Sequence, residues 1–284
     1  MAMVRHRLGF SFLYFTPRVT EVHHRWFEWL AAHGYDGAEL PVVLASDAEL
    51  RATKQALDAA GLAATAVGFA TADADPLAPD AAGRRAAVEH LARCAEKAAR
   101  LGADMLAGPI HSAYGRFSEQ PPTADEWARC VDVLRAAGER AAKVGVRLAI
   151  EPLNRFECYF LNTAARCAEL VRAIDHPAVV GALDTHHAHL EERSLAEAIQ
   201  QSRGTLGHVQ LSENHRGTPG TGQVDFAAVQ RHLASIDYRG WLVVEAFSRQ
   251  DPAFGSALRI WRALDDGPEQ VLAAGAALRR LFAG

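Results

Sequence analysis

AKVGVRLAIE, residues 142–151, runs from the end of an Ala-rich helical pattern through a glycine into a short apolar run that closes on an acid. Glycine is the residue that lets a helix stop in a left-handed turn, and a four-residue apolar run after it fits a buried strand. The same unit recurs as AAHGYDGAEL (31–40), DAAGLAATAV (58–67) and ARLGADMLAG (99–108). A chain built from this repeat is a succession of βα units. Strand-like runs fall at Leu8–Phe15, Gly37–Leu40, Ala63–Gly68, Asp104–Gly108, Arg147–Glu151, Val179–Asp184, Leu206–Leu211 and Trp241–Glu245. Between them, segments such as AAVEHLARCAEKAARLG and WARCVDVLRAAGERAAKVG carry apolar residues at helical spacing.

Eight such units predict an α/β fold, a single (β/α)8 barrel over residues 1–284. An open doubly wound sheet usually has fewer strands and a glycine-rich phosphate turn after one of them. Neither G-x-G-x-x-G nor G-x-x-x-x-G-K-[ST] follows any of these runs. No linker or low-complexity tract marks a second domain. The longest irregular stretches, Pro109–Pro122 and Ser212–Val224, both follow strands, where a barrel builds its active site.

Composition narrows the function. Thirty Lys+Arg against 34 Asp+Glu give a net charge of -4 with no basic block, so the electrostatic footprint of a nucleic-acid binder is missing. Cys94, Cys130, Cys158 and Cys167 stand in no metal-ligand spacing and read as buried free thiols in a reducing compartment. The opening MAMVRHRLGFSFLYFTP has too short an apolar run for a leader and no small-residue cleavage site, and no stretch is long enough to span a membrane. A cytoplasmic protein with no membrane partner is expected.

Three runs end on acids: RLAIE on Glu151, VVGALD on Asp184 and WLVVE on Glu245. A carboxylate closing an apolar strand is costly to desolvate unless it is paired or bound to a cation, and three converging on one barrel mouth repel each other. A divalent metal neutralises them most simply. Oxygen ligands favour Mg²⁺ or Mn²⁺, and Co²⁺, Fe²⁺ or Zn²⁺ are also compatible. In GHVQLSEN (207–214) the two-residue period of a strand puts His208 and Gln210 on one side, where either can complete the metal sphere. DTHHAH adds His186, His187 and His189, and ENHRGTPGTGQVDF supplies Arg216 beside the acidic mouth.

The set EPLNRFE (151–157), DTHH (184–187), SENHRGTPGTG (212–222) and VVEAF (243–247) resembles the xylose-isomerase-like barrel superfamily, most closely its D-tagatose/D-psicose (ketose) 3-epimerase branch. The resemblance runs from the first strand to the last helix. It implies one divalent ion held by Glu151, Asp184, residue 210 and Glu245. It also places Glu157, His187 and Arg216 against the sugar oxygens and makes Gly108 and Tyr114 part of the pocket wall. Residue 210 is Gln where that branch carries histidine. The substitution looks like the hydroxypyruvate isomerase branch and makes the ligand set all-oxygen. His208 is the rival ligand, one inward step earlier, and otherwise faces the substrate.

The chemistry implied is 3-epimerisation of a ketose, with Glu151 and Glu245 as the acid/base pair moving a proton through an enediolate. A hydroxypyruvate-type isomerase and a keto-sugar or keto-inositol dehydratase or lyase use the same residues. A zinc endonuclease-like barrel would need more histidine ligands, and a non-catalytic sugar-binding barrel would not need the acids. The expected partners are a small sugar or keto-acid substrate and further copies of the chain, as a dimer or tetramer.

Overall fold

The computed structural model of the chain describes residues 6–282. Eight parallel strands close in sequence order into a barrel: β1 Leu8–Ser11, β2 Gly37–Pro41, β3 Ala63–Val67, β4 Met105–Gly108, β5 Arg147–Ile150, β6 Val179–Asp184, β7 Leu206–Ser212 and β8 Trp241–Glu245. The intervening helices are α1 Arg25–Ala32, α2 Asp47–Ala60, α3 Ala81–Arg100, α4 Ala124–Ala142, α5 Ala164–Ile174, α6 Thr185–Glu191, α7 Leu195–Gln201, α8 Phe226–Ser235, α9 Pro252–Ala257 and α10 Pro268–Phe282. The expected (β/α)8 architecture is the one observed. Residues 1–5 and 283–284 of the expected 1–284 barrel lie outside the described residues.

Local chemistry sets the helix starts. Ser46 and Glu49 exchange bonds across the first turn of α2, the Ser46 backbone N–H donating to Glu49 Oε2 at 2.8 Å. Thr123 and Glu126 do the same for α4 at 2.9 Å. Such reciprocal caps satisfy amide groups that the helix itself leaves unpaired. Gly61 closes α2 at φ 68°, as the glycine stop anticipates.

Strand alternation divides the core. Leu106, Leu148, Ile150, Leu183, Val209, Leu211, Leu242 and Val244 join the large apolar cluster shared with the helices. Met105, Ala107, Ala149 and Ala182 form a second, smaller cluster. Because successive side chains point to opposite faces, the positions between the helix-facing ones line the barrel interior. Those positions include Glu39, Glu151, Asp184, His208, Gln210 and Glu245. The polar residues of the barrel mouth are thus fixed by the same alternation that builds the apolar layer outside.

Strand 1 is shorter than its sequence suggests. After Ser11 the chain turns through a 3-10 segment, Phe12–Tyr14, rather than continuing to Phe15. Phe12 packs 4.7 Å from Phe27 and 5.3 Å from Phe15, ring centre to ring centre. The aromatic run is therefore apolar because it buries against α1, not because it is extended. Glu151 lies just past β5 rather than inside it, and β7 extends one residue further, to Ser212. All four cysteines are free and buried, as expected. No helix among the described residues is long and apolar enough to cross a membrane.

Candidate active site

The register of the sheet brings the acids together. Asp184 on β6 pairs laterally with Gln210 on β7, and Ser212 pairs with Glu245 on β8. Glu151, Asp184, Gln210 and Glu245 are each at most 4 % exposed. A divided loop closes over them. The β7–α8 connection carries Arg216, whose backbone adopts φ 66°, a left-handed conformation that is uncommon outside glycine. Its carbonyl accepts from Phe247 N at 2.8 Å, and its guanidinium lies 4.7 Å over the Phe247 ring. Glu213 holds the same loop from below, its carboxylate accepting from the backbone of Gly220 at 2.8 Å and Asn214 at 3.2 Å.

Arg216 bridges the carboxyls. Nη1 donates to Asp184 Oδ2 at 2.9 Å and Glu245 Oε2 at 2.5 Å, and Nη2 lies 2.8 Å from His187 Nε2 and 3.9 Å from Glu157 Oε1. His187 in turn stands 3.4 Å from Glu151 Oε1. A connected path, Glu151 to His187 to Arg216 to Glu245, spans the mouth. His187 is oriented by the EPLNRFE turn, where Asn154 donates to its Nδ1 from the backbone at 3.0 Å and from the side chain at 2.9 Å. Asn154 also donates to Glu157 Oε1 at 2.8 Å, and Tyr114 OH donates to Glu157 Oε2 at 3.2 Å.

The electrostatics follow from burial. Desolvation, and then the neighbouring charge of Asp184, pushes the Glu151 carboxyl well above the usual carboxylate range. Desolvation does the same for Glu245 despite the nearby Arg216. At Asp184 burial also works upward, but the Arg216 guanidinium foremost outweighs it and the carboxyl is held at about 2. His187 is buried and, beside Arg216, stays well below its ordinary value, hence neutral. The cluster therefore separates one ionised acid from two that hold protons more tightly.

Of the residues singled out from the sequence, Glu151, Asp184, Gln210, Glu245, Arg216, His187, Glu157 and Tyr114 converge here. Gly108 contributes backbone rather than a side chain: at φ 132° an added Cβ would run into the carbonyl of Gly68. His208 sits one inward step below Gln210, its Nε2 2.8 Å from Glu39 Oε2. Glu39 itself was not recognised from sequence. The signal was present in GAEL, a carboxylate inside an apolar run, but it precedes the strand's last residue.

Glu151, Asp184 and His187 each offer a donor atom within 4.8 Å of the others, and so do Glu157, His186 and His187. These groups could hold a metal ion, and the first includes a nitrogen donor beside the expected oxygen set. Gln210 fits a hard cation as well. Its Nε2 donates to Glu39 Oε1 and Glu245 Oε1, both at 3.1 Å, while its Oε1 is buried with no hydrogen-bond partner. Both partners of the nitrogen are carboxyl oxygens, so the hydrogen-bond pattern itself distinguishes amide nitrogen from amide oxygen.

Comparison with known proteins agrees with this geometry. Residues 27–278 match the family model described as xylose isomerase-like TIM barrel. A ketose 3-epimerase of Arthrobacter globiformis is 33 % identical over 234 residues, 81 % of this chain and 80 % of the relative. A D-psicose 3-epimerase of Ruminiclostridium cellulolyticum is 27 % identical over 266 residues, 92 % and 91 % of the two chains. Among solved structures, the D-allulose 3-epimerase of Methylomonas superposes with a TM-score of 0.90 at 27 % identity, covering 99 % of this chain and 100 % of the other.

Proposed function

Because the chain belongs to the xylose isomerase-like TIM barrel family, we propose that it is a divalent-metal-dependent ketose 3-epimerase. The observation that carries this reading is the pair of buried carboxyls, Glu151 and Glu245, at the two ends of the path through His187 and Arg216 across the barrel mouth. Strands β5 and β8 lie three positions apart in an eight-stranded ring, so the two acids approach a sugar from different sides.

Epimerisation removes a proton from carbon 3 and returns one to the opposite face. One of the two glutamates accepts the proton and the other donates, with the roles exchanged in the reverse direction. Burial raises the proton affinity of both, which suits them to a carbon acid better than an ordinary surface carboxylate. Asp184, held ionised, contributes negative charge but not a proton. Glu157, His187 and Arg216 orient the hydroxyls, and neutral His187, whose Nδ1 accepts from Asn154, carries its proton on Nε2 and can donate there. Glu151, Asp184, Gln210 and Glu245 are the residues that would hold Mn²⁺ or Mg²⁺, which when bound polarises the carbonyl and the hydroxyl beside it.

The test is turnover of D-fructose, D-psicose and D-tagatose by the Mn²⁺-supplemented protein in deuterated water. The expected outcome is the C3 epimer with deuterium at C3. Aldose formation without epimer would replace epimerisation by isomerisation, and a dehydrated product would replace it by elimination.

A further inference from the structure

Glu39 is the buried acid that the proposed reaction does not use. It lies in β2 with no exposed surface, in lateral register with Ser11 and Thr65 and across the barrel interior from β7. Its two oxygens are divided between two β7 side chains: Oε2 lies 2.8 Å from His208 Nε2, and Oε1 accepts from Gln210 Nε2 at 3.1 Å. Gln210 Nε2 has a second acceptor in Glu245 Oε1, also at 3.1 Å. Both amide protons of Gln210 are thereby committed to carboxyl oxygens. The amide oxygen, one amide's width from the nitrogen that touches Glu245, is left buried and without a partner.

An unpartnered buried carbonyl oxygen costs free energy unless something else satisfies it, so its persistence asks for a ligand. An isolated Gln210 amide could turn over and present N–H₂ to the site instead, because the two orientations differ little in shape. Glu39 removes that freedom. With one carboxyl on each side of the nitrogen, the turned-over amide would set its oxygen against two acceptor-only groups. Resting on the metal-dependent reading above, we propose that Glu39 is a positioning residue: it locks the Gln210 amide so that its oxygen, and not its nitrogen, is offered as the fourth donor beside Glu151, Asp184 and Glu245.

The role predicts coupling between two residues rather than a general loss. Partners that orient a metal ligand typically contribute 10–100-fold in affinity. Glu39→Gln, which keeps the shape but gives the Gln210 amide a competing donor, should weaken Mn²⁺ binding about 10-fold or more by isothermal titration calorimetry. In a Gln210→Met background, where no amide needs orienting, the same Glu39→Gln change should cost less than about 2-fold, since its effect runs through residue 210. Thermal melts of the metal-free proteins confirm that each variant is folded. If Glu39→Gln does not fold, Glu39→Met, which removes the acceptor without supplying a donor, takes its place in the cycle.

An equal loss in both backgrounds would mean that Glu39 acts through its charge or through packing and would overturn the positioning role. Unchanged Mn²⁺ affinity in the Glu39→Gln protein would overturn it too. Failure of the wild-type protein to bind Mn²⁺ would instead overturn the metal-dependent reading, and the positioning role with it.

Discussion

Glu151 and Glu245 are buried beside a third acid, Asp184; burial raises the proton affinity of all three, and only at Asp184 do the neighbouring groups, Arg216 foremost, outweigh it. Arg216 Nη1 reaches Asp184 and Glu245 but not Glu151; Asp184 is held ionised, while both glutamates bind a proton more tightly than an ordinary carboxylate. Changing either glutamate to Gln retains an oxygen donor and removes the proton acceptor. Turnover of Glu151→Gln and of Glu245→Gln should fall about 100-fold or more, while calorimetry still detects Mn²⁺ binding. Wild-type-like turnover in both variants would show that neither moves the proton. At Gln210 the donor type itself can be changed. An imidazole binds late transition metals more strongly than an amide oxygen, so Gln210→His should shift the preference, measured by competitive titration, from Mn²⁺ toward Co²⁺ or Zn²⁺. If preference is unchanged and His208→Ala abolishes binding, His208 is the ligand. The three strand-end acids were legible in sequence because each closes an apolar run. Glu39 was not, because its worth comes from two β7 side chains about 170 residues away in the chain, His208 at a separation of 169 and Gln210 at 171.

At the scale of elements, the helices start where short-range side-chain chemistry tells them to. In α2 the Ser46 N–H and hydroxyl hold the Glu49 carboxyl down from its usual 4.5 to about 2. A carboxyl whose folded value lies below its unfolded one stabilises the fold above the unfolded value, and this contribution fades as pH falls from about 4.5 through about 2. Ser46→Ala should cost about 0.5–2 kcal/mol in urea denaturation at neutral pH. Glu49→Gln should also destabilise at pH 7, and its difference from wild type should shrink at pH 3. A difference that persists unchanged at pH 3 would show that the charge of Glu49 is not what stabilises the cap. Strand 1 marks the limit of such local reading. The run LGFSFLYF is apolar throughout, and only the presence of Phe27 on α1 makes its second half a turn packed on a helix rather than more strand.

For the whole molecule, the closed barrel places a concentration of buried negative charge at one end, so anything that neutralises it there binds the folded state alone. Ligand at about 100 times its Kd adds about 2.7 kcal/mol, which for a chain of this size raises Tm by roughly 4–5 °C. Saturating Mn²⁺ should therefore raise the midpoint of a thermal melt by that order, and chelation with EDTA should reverse it. No shift with any of Mn²⁺, Mg²⁺ or Co²⁺ would argue against a cation at the mouth. The (β/α)8 architecture, the strand-end acids and the two long loops over the mouth all follow from the sequence, because helix stops and strand periodicity act between near neighbours. Three things were decided only by tertiary structure: the partners of Arg216, the locking of Gln210 by Glu39, and the approach of His187 to Glu151. Each depends on side chains from different strands meeting in a closed ring, where the shear of the barrel and the desolvation it imposes set which polar groups face one another, and no pattern along a single segment carries that information.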